Sequence, residues 1–518
     1  MRTASTVAAG LGLTALLAAG LPAAAQPHRP SPPPAHGQQR LDWGPCPADQ
    51  AELRRAGAEC AKVTVPLDHA APDGPAIRIA ISRIKARPGV RREGVLLTNP
   101  GGPGGTGLAT TLALRPALKD VADRYDLIGF DPRFLGHSTP IGCGPAAPPA
   151  PPGTSTSPRR DFEDSVRSAR ETARRCAEHG DNARLLPHAS TRNVARDMDV
   201  IRAALGERRL SYYGVSYGAD LGAVYTQLFP RRAGRVVIDS GTDPAATQYE
   251  LFQRTGEPLE EALDEWAAEI AREPETHRLG STGAEVRAQV RRILDRAEHS
   301  PVDVGGQRLT APLLRLLLRQ LIQHREQDPA LARMVRDLAD AAAGRPVEPG
   351  PELAALLELL SSPDLGDSML GGALFMCGDG GWPAGGWPED PATYWRNMER
   401  SRATQPVFGP FANGMTAPCA FWGTEPREPG TAIGNDVPVL MLHARRDNNV
   451  PYEGALALHR RLTGSRLVTA DIRSHGVYGR GVDGLRPVPC ADRAVNDYLR
   501  DGTLPAGDLS CPTAGPPR

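Results

Sequence analysis

Gly214-Val215-Ser216-Tyr217-Gly218 sets one serine between two glycines, each two residues away. The apolar run RLSYYGVS (209–216) leads into it, and the helical pattern ADLGAVYTQLFP leads out. Gly-x-Ser-x-Gly between a strand and a helix is the pattern of a nucleophile held in a tight turn. Such a turn strains the backbone at the serine, so its neighbours must be small. The following helix offers its N–H groups and positive dipole end to developing negative charge. The plainer alternative is a turn that happens to contain a serine. A serine nucleophile needs a base, an acid to orient that base, and an oxyanion hole, so the rest of the chain decides.

In a strand–turn–helix setting of this kind the chain order is serine, acid, histidine. VPVLMLHARRDNNVPYEGA (437–455) puts Asp447 just past a strand end, and SRLVTADIRSHGVYG (465–479) puts His475 just past the last apolar run. Asp239, which ends the run GRVVIDSG (234–241), is a rival for the acid. His443 lies inside a strand run and reads as a core histidine; Asp436 precedes that run, on the wrong side of the sheet. LLTNPGGPGGTG (96–107) is the loop from which an oxyanion donor is expected. The N–H groups of Tyr217 and Gly102 are the expected pair, with Gly101 the neighbour that could replace Gly102. The loop has no Gly-Lys-Ser/Thr ending, and Pro103 interrupts a dinucleotide fingerprint, so a phosphate cradle fits poorly.

Six apolar runs read as strands that position these residues: 77–86, 94–100, 125–133, 209–216, 234–241 and 437–447. A helical pattern, TRNVARDMDVIRAAL (191–205), lies between the third and fourth. Alternating strands and helices predict a mostly parallel α/β sheet. From about Pro244 to Gly430 the pattern becomes charged and helix-rich, which reads as a helical cap inserted between sheet strands. The expected organisation is a first core part over 41–243, the cap over 244–430, and a second core part over 431–518.

The first residues, MRTASTVAAGLGLTALLAAGLPAAAQ, read as a secretory signal peptide over 1–25, too short in its apolar part to span a membrane. A disordered spacer is expected over 26–40. Lys+Arg and Asp+Glu both number 60, a balance that points to neither nucleic acid nor an anionic membrane surface. The eight cysteines suit disulfides in an exported protein. Eight cysteines allow about 105 connectivities, and the sequence does not choose among them; sequential pairing (46–60, 143–176, 377–419, 490–511), which closes short local segments, is the expectation. No cysteine/histidine spacing suggests a metal.

Several motifs together, LDWGPCP, CAKVTVPLDHAAPDG, LLTNPGGPGGTG, YDLIGFDPRFLGHS, YYGVSYGADLGAVY, VVIDSGTDP, DNNVPYEGA and CADRAVNDYLRDGTLPAGDLSC, resemble the secreted tripeptidyl aminopeptidases of actinomycetes. These are α/β-hydrolases related to prolyl aminopeptidase. The resemblance spans nearly the whole mature chain. It implies an exported serine exopeptidase acting on peptide or protein N-termini without metal or organic cofactor. Ser216, Asp447 and His475 fall on the catalytic triad, and Gly102 and Tyr217 on the oxyanion positions. An acid from the cap is expected to hold the substrate's α-ammonium. Asp379 in FMCGDGGWP is the candidate, against the alternative of a solvated loop aspartate. The chain departs from the family pattern at Phe134 and Leu135, where small residues are common, and in SHG and RRDNNVP around the histidine and the acid. An esterase with the same triad, or a binding protein on a retired hydrolase scaffold, are the competing readings.

Overall fold

The computed structural model describes residues 36–144, 157–379, 386–424 and 426–512. The expected signal peptide and the start of the spacer lie outside these residues. Gln39, near the end of the expected spacer, is tied to Thr64: its Oε1 accepts the Thr64 N–H and its Nε2 donates to the Thr64 carbonyl, both at 2.8 Å.

The sheet strands are β1 (Gly44–Pro45), β2 (Glu59–Pro66), β3 (Ala76–Ile84), β4 (Gly94–Asn99), β5 (Tyr125–Phe130), β6 (Leu210–Val215) and β7 (Ala233–Asp239). A separate hairpin, β8 (Val302–Val304) with β9 (Gln307–Leu309), follows. The sheet is completed by β10 (Val439–Ala444), β11 (Ser465–Ala470) and β12 (Leu509–Cys511). Its order is β1-β2-β3-β5-β4-β6-β7-β10-β11-β12. Pairing is antiparallel from β1 through β3 to β5 and parallel from β5 to β12. The run at 77–86 is therefore a strand of the antiparallel edge, while the other five join the parallel part.

The central strands are mostly apolar because both faces are covered. Their side chains alternate between two cores. Leu97, Val236, Ile238 and Met441 face one, and Leu96, Val237, Leu440 and Leu442 face the other. Between β7 and β10 the chain builds helices with a third apolar core around Trp266, Leu263, Val290, Leu317 and Val335. Local signals start these helices; Thr282 and Glu285, for example, form a reciprocal capping box at Gly283–His299.

Four disulfides join Cys46–Cys60, Cys143–Cys176, Cys377–Cys419 and Cys490–Cys511, the sequential pairs expected. They suit an oxidising compartment. No described helix is long and apolar enough to cross a membrane.

Candidate active site

Ser216 sits between β6 and the helix Tyr217–Leu228, with φ 59° and ψ −127°. A non-glycine residue held there is strained and persists only if its surroundings impose it. They do. The Ser216 N–H donates to the Asp239 carbonyl at 2.8 Å. A Cβ on Gly214 would collide with the Gly218 carbonyl, and one on Gly218 would lie 2.7 Å from the Asn99 carbonyl oxygen. The two glycines are the condition for the turn.

Asp447 follows β10 in a tight turn and is buried. Its Oδ1 accepts the Asn449 and Val450 N–H groups, each at 2.9 Å, and its Oδ2 accepts His475 Nδ1 at 2.8 Å. Burial pushes the carboxyl up, but the charge and hydrogen bond of His475 and the Val450 N–H outweigh it, and Asp447 is held below its ordinary value. Burial likewise pushes His475 down, yet the charge and hydrogen bond of Asp447 hold the imidazole above its ordinary value. The bond to Nδ1 leaves Nε2 as the nitrogen able to take a proton.

Asp239, the rival acid, is bound elsewhere. Its Oδ2 accepts the N–H groups of Val477 and Tyr478, each at 2.9 Å, and the neighbouring Ser240 hydroxyl accepts from Gly476 N–H at 3.1 Å. Asp239 and Ser240 thus hold the backbone that follows His475. His443 is a fully buried core residue whose Nε2 bonds the Val450 carbonyl at 2.9 Å.

Gly101 packs against the elbow: a Cβ there would collide with the Val215 carbonyl and lie 3.3 Å from Tyr217 N. Its N–H donates to Asn99 Oδ1 at 3.0 Å. Gly102 N–H has no protein partner among the described residues. Tyr217 N–H, the first of its helix, is one of the orphan donors every helix start leaves. Asp131 fixes the far end of the glycine loop through the Gly107 and Leu108 N–H groups, at 2.9 and 3.2 Å. Phe134 takes φ 72°, the left-handed region that favours the small residues common in the family pattern. Leu135 packs on Gly371 of the helix Pro363–Gly378, whose backbone lies against Gly104.

Asp379, just beyond that helix, is buried. It accepts a hydrogen bond from the Thr191 hydroxyl, which also bonds the Tyr217 phenol at 2.7 Å. Burial and the charge of Asp379 push the Tyr217 phenol well up, so it stays neutral. Through Thr191, Asp379 is linked to the side chain of the residue after Ser216. The alternative of a solvated loop aspartate does not describe it.

Residues that the sequence did not single out surround the pair Asp447–His475. The turn after the helix Ala311–Ile322 reaches both loops. Asn448 Nδ2 donates to the Ile322 carbonyl at 3.2 Å, His324 Nδ1 bonds the Ser474 hydroxyl at 3.0 Å, and Arg473 pairs with Asp328. Only the charge run around 319–328 could have hinted at this, and such runs usually face solvent. A cavity of about 1020 Å³ lies between the helix Pro158–Glu178 and the inserted helices, lined by Phe162, Leu316, Met369, Met376, Met398 and Phe411; Ser216 and His475 are not in its wall. Among the described residues no group of side chains could hold a metal ion.

Residues 94–295 match the family model described as alpha/beta hydrolase fold, and residues 405–511 the one described as TAP-like protein. The chain is 35% identical over 509 residues to a tripeptidyl aminopeptidase of Streptomyces coelicolor, covering 92% of this chain and 87% of that one. It is 29% identical over 498 residues to the serine protease Hip1 of Mycobacterium tuberculosis, covering 91% of each. It is also 30% identical over 546 residues to a protein of the same organism named carboxylesterase B, covering 96% of each.

Proposed function

The chain belongs to the tripeptidyl aminopeptidase family of α/β-hydrolases and is a serine hydrolase, and we propose that it is a secreted exopeptidase that removes tripeptides or dipeptides from free N-termini. The observation that carries the reading is the 2.8 Å bond from His475 Nδ1 to Asp447, with Ser216 held at a strained strand–helix turn.

In the proposed cycle His475 Nε2 takes the Ser216 proton as the hydroxyl attacks the scissile carbonyl. Asp447 holds the imidazole tautomer and stabilises its cation. The N–H groups of Gly102 and Tyr217 bind the oxyanion; Gly101 is the poorer candidate because its N–H is committed to Asn99. His475 then protonates the leaving amine, and water, activated by the same imidazole, releases the acyl group. The insertion over 244–430 acts as the cap. Asp379, just past the helix Pro363–Gly378 within it, holds the substrate's α-ammonium, and a fixed carboxylate at a set distance from the serine counts residues from the amino end. Export is supported by the apolar N-terminal segment and by the four disulfides.

The test is hydrolysis of mono-, di- and tripeptide anilides, their N-acetylated forms and a short-chain ester, by the mature protein and by Ser216→Ala. Cleavage of the free peptides alone, lost in Ser216→Ala and weakened in Asp379→Asn, is expected. Equal activity on acetylated peptides, or activity on the ester alone, would move the reading to an esterase or general acyl hydrolase, as the carboxylesterase relative allows.

A further inference from the structure

The helix Ala311–Ile322 carries two arginines one turn apart that are treated differently. Arg315 is paired: it donates to Glu298 at 2.7 Å and to the Val407 carbonyl at 2.8 Å. Arg319 is part-buried, and among the described residues its guanidinium has no hydrogen-bond or ion-pair partner. It lies over the ring of Phe411, 5.6 Å from the centroid, and Phe411 lines the large cavity. Burial pulls it down to about 10, and the one charge that opposes this is Asp447. No ion pair joins the two, and both Asp447 oxygens already accept other donors, the Asn449 and Val450 N–H groups and His475. The other cations nearby are matched, Arg473 with Asp328 and Arg480 with Glu326.

A part-buried guanidinium without an anion is poorly compensated, and its planar fork suits a carboxylate. We propose that Arg319, held by Phe411, is an anion subsite that takes a carboxylate on the departing part of the substrate. The side is set by the helix: the carbonyl of Ile322, three residues after Arg319, accepts the side-chain amide of Asn448, the neighbour of Asp447, at 3.2 Å, so the helix end that carries Arg319 lies beside the pair that delivers the proton to the leaving amine. This rests on the peptidase reading above. The carboxylate has two sources: an Asp or Glu side chain next to the scissile bond, or the free C-terminus of a short leaving peptide.

The experiment compares kcat/KM for Ala-Ala-Ala-Glu-amide, its Gln and Lys counterparts, and Ala-Ala-Ala-Ala as free acid and as amide. The wild type, Arg319→Gln and Arg319→Lys are used, with Ala-Ala-Ala-anilide and a short-chain ester as references. The readout is the acid-to-neutral ratio, in which any effect of Arg319 on the titration of His475 cancels. The wild type should favour the acidic partner by about tenfold or more, the range of a charge-assisted fork. That ratio should collapse towards one in Arg319→Gln and remain partly in Arg319→Lys. Preference within the amide series assigns the side chain; preference for the free acid assigns the C-terminus. A wild type indifferent to both, or a preference that persists in Arg319→Gln, overturns the proposal. Should Arg319→Gln not fold, a ratio in Arg319→Lys equal to the wild type's in size and salt dependence would overturn it, and a reduced one would support it. Ser216-dependent ester hydrolysis with no cleavage of any peptide or anilide would overturn the peptidase reading itself, and is told apart by the anilide.

Discussion

The Asn99 carboxamide stands between the glycine loop and the nucleophile turn. Its Oδ1 accepts the Gly101 N–H at 3.0 Å, and a Cβ on Gly218 would lie 2.9 Å from the same oxygen. One side chain therefore sets the loop's first amide and the elbow's second glycine together. Asn99→Ala should release Gly101 and let the Gly102 N–H drift from the oxyanion position. Removing one oxyanion donor outright costs about 10²–10³ in kcat. A displaced donor should cost less, about tenfold to a hundredfold, with KM changed little. Steady-state kinetics on a free tripeptide anilide measures this. An unchanged kcat would mean the loop is held without Asn99.

The two acids can be separated by the size of their effects. Asp447→Asn keeps the shape but donates where it should accept, which favours the wrong imidazole tautomer. A loss of about 10⁴ in kcat is expected from that chemistry. Asp239→Asn still offers an oxygen to the Val477 and Tyr478 N–H groups and leaves the bond between His475 and Asp447 intact. It should cost about tenfold in kcat and on the order of 1 kcal/mol in stability. Equal losses in both variants would show that Asp239 shares the role of the acid.

The pH profile follows from the same pair. In the proposed cycle His475 must be neutral to accept the Ser216 proton, and Asp447 holds it above its ordinary value of 6.5. Activity should therefore fall as pH drops through a midpoint above 6.5. Asp447→Asn removes the interactions that raise it, so the residual activity should have its acid limb at lower pH. Arg319→Gln removes a positive charge that lowers it, so that limb should move to higher pH. The pH dependence of kcat/KM measures all three; a limb that stays put in both variants would exclude His475 as the titrating base.

How far the chain could be read depended on whether a residue's signal is local. Gly214 and Gly218 are dictated by backbone contacts within a few residues, so the elbow is legible from five letters. β4, β6, β7 and β10 are mostly apolar runs because both faces are covered, and they fall where periodicity puts them. No apolar run marks β12, Leu509–Cys511; its Leu509 and Ser510 are exposed and its place comes from pairing with β11. The choice between Asp447 and Asp239 was open in the sequence, since both end strands. It rests on which one meets Nδ1 across the fold. Arg319, His324 and Asp328 were invisible for a related reason. What sets each apart is distant in sequence, Phe411 under Arg319, Ser474 at His324 and Arg473 at Asp328, and nothing local distinguishes them from the other charges of the inserted helices.

Arg473 stands two residues before His475, is 1% exposed, and pairs with Asp328 at the start of the helix Asp328–Ala342. Its other described donor bond goes to the Ala262 carbonyl, also in the insertion, at 3.2 Å. The loop that carries His475, the proposed base, is thus anchored in the inserted helices through a buried ion pair. Breaking such a pair from one side leaves an uncompensated charge and costs about 3–5 kcal/mol, while replacing both partners by apolar groups of similar volume is close to neutral. Asp328→Ala should therefore lower the midpoint of chemical denaturation by that order and lower kcat through a loosened His475. Arg473→Met with Asp328→Leu should recover most of the stability. Activity separates two roles for the pair. If it only stabilises the fold, the double variant regains activity along with stability. If it also positions His475, stability returns and kcat stays low.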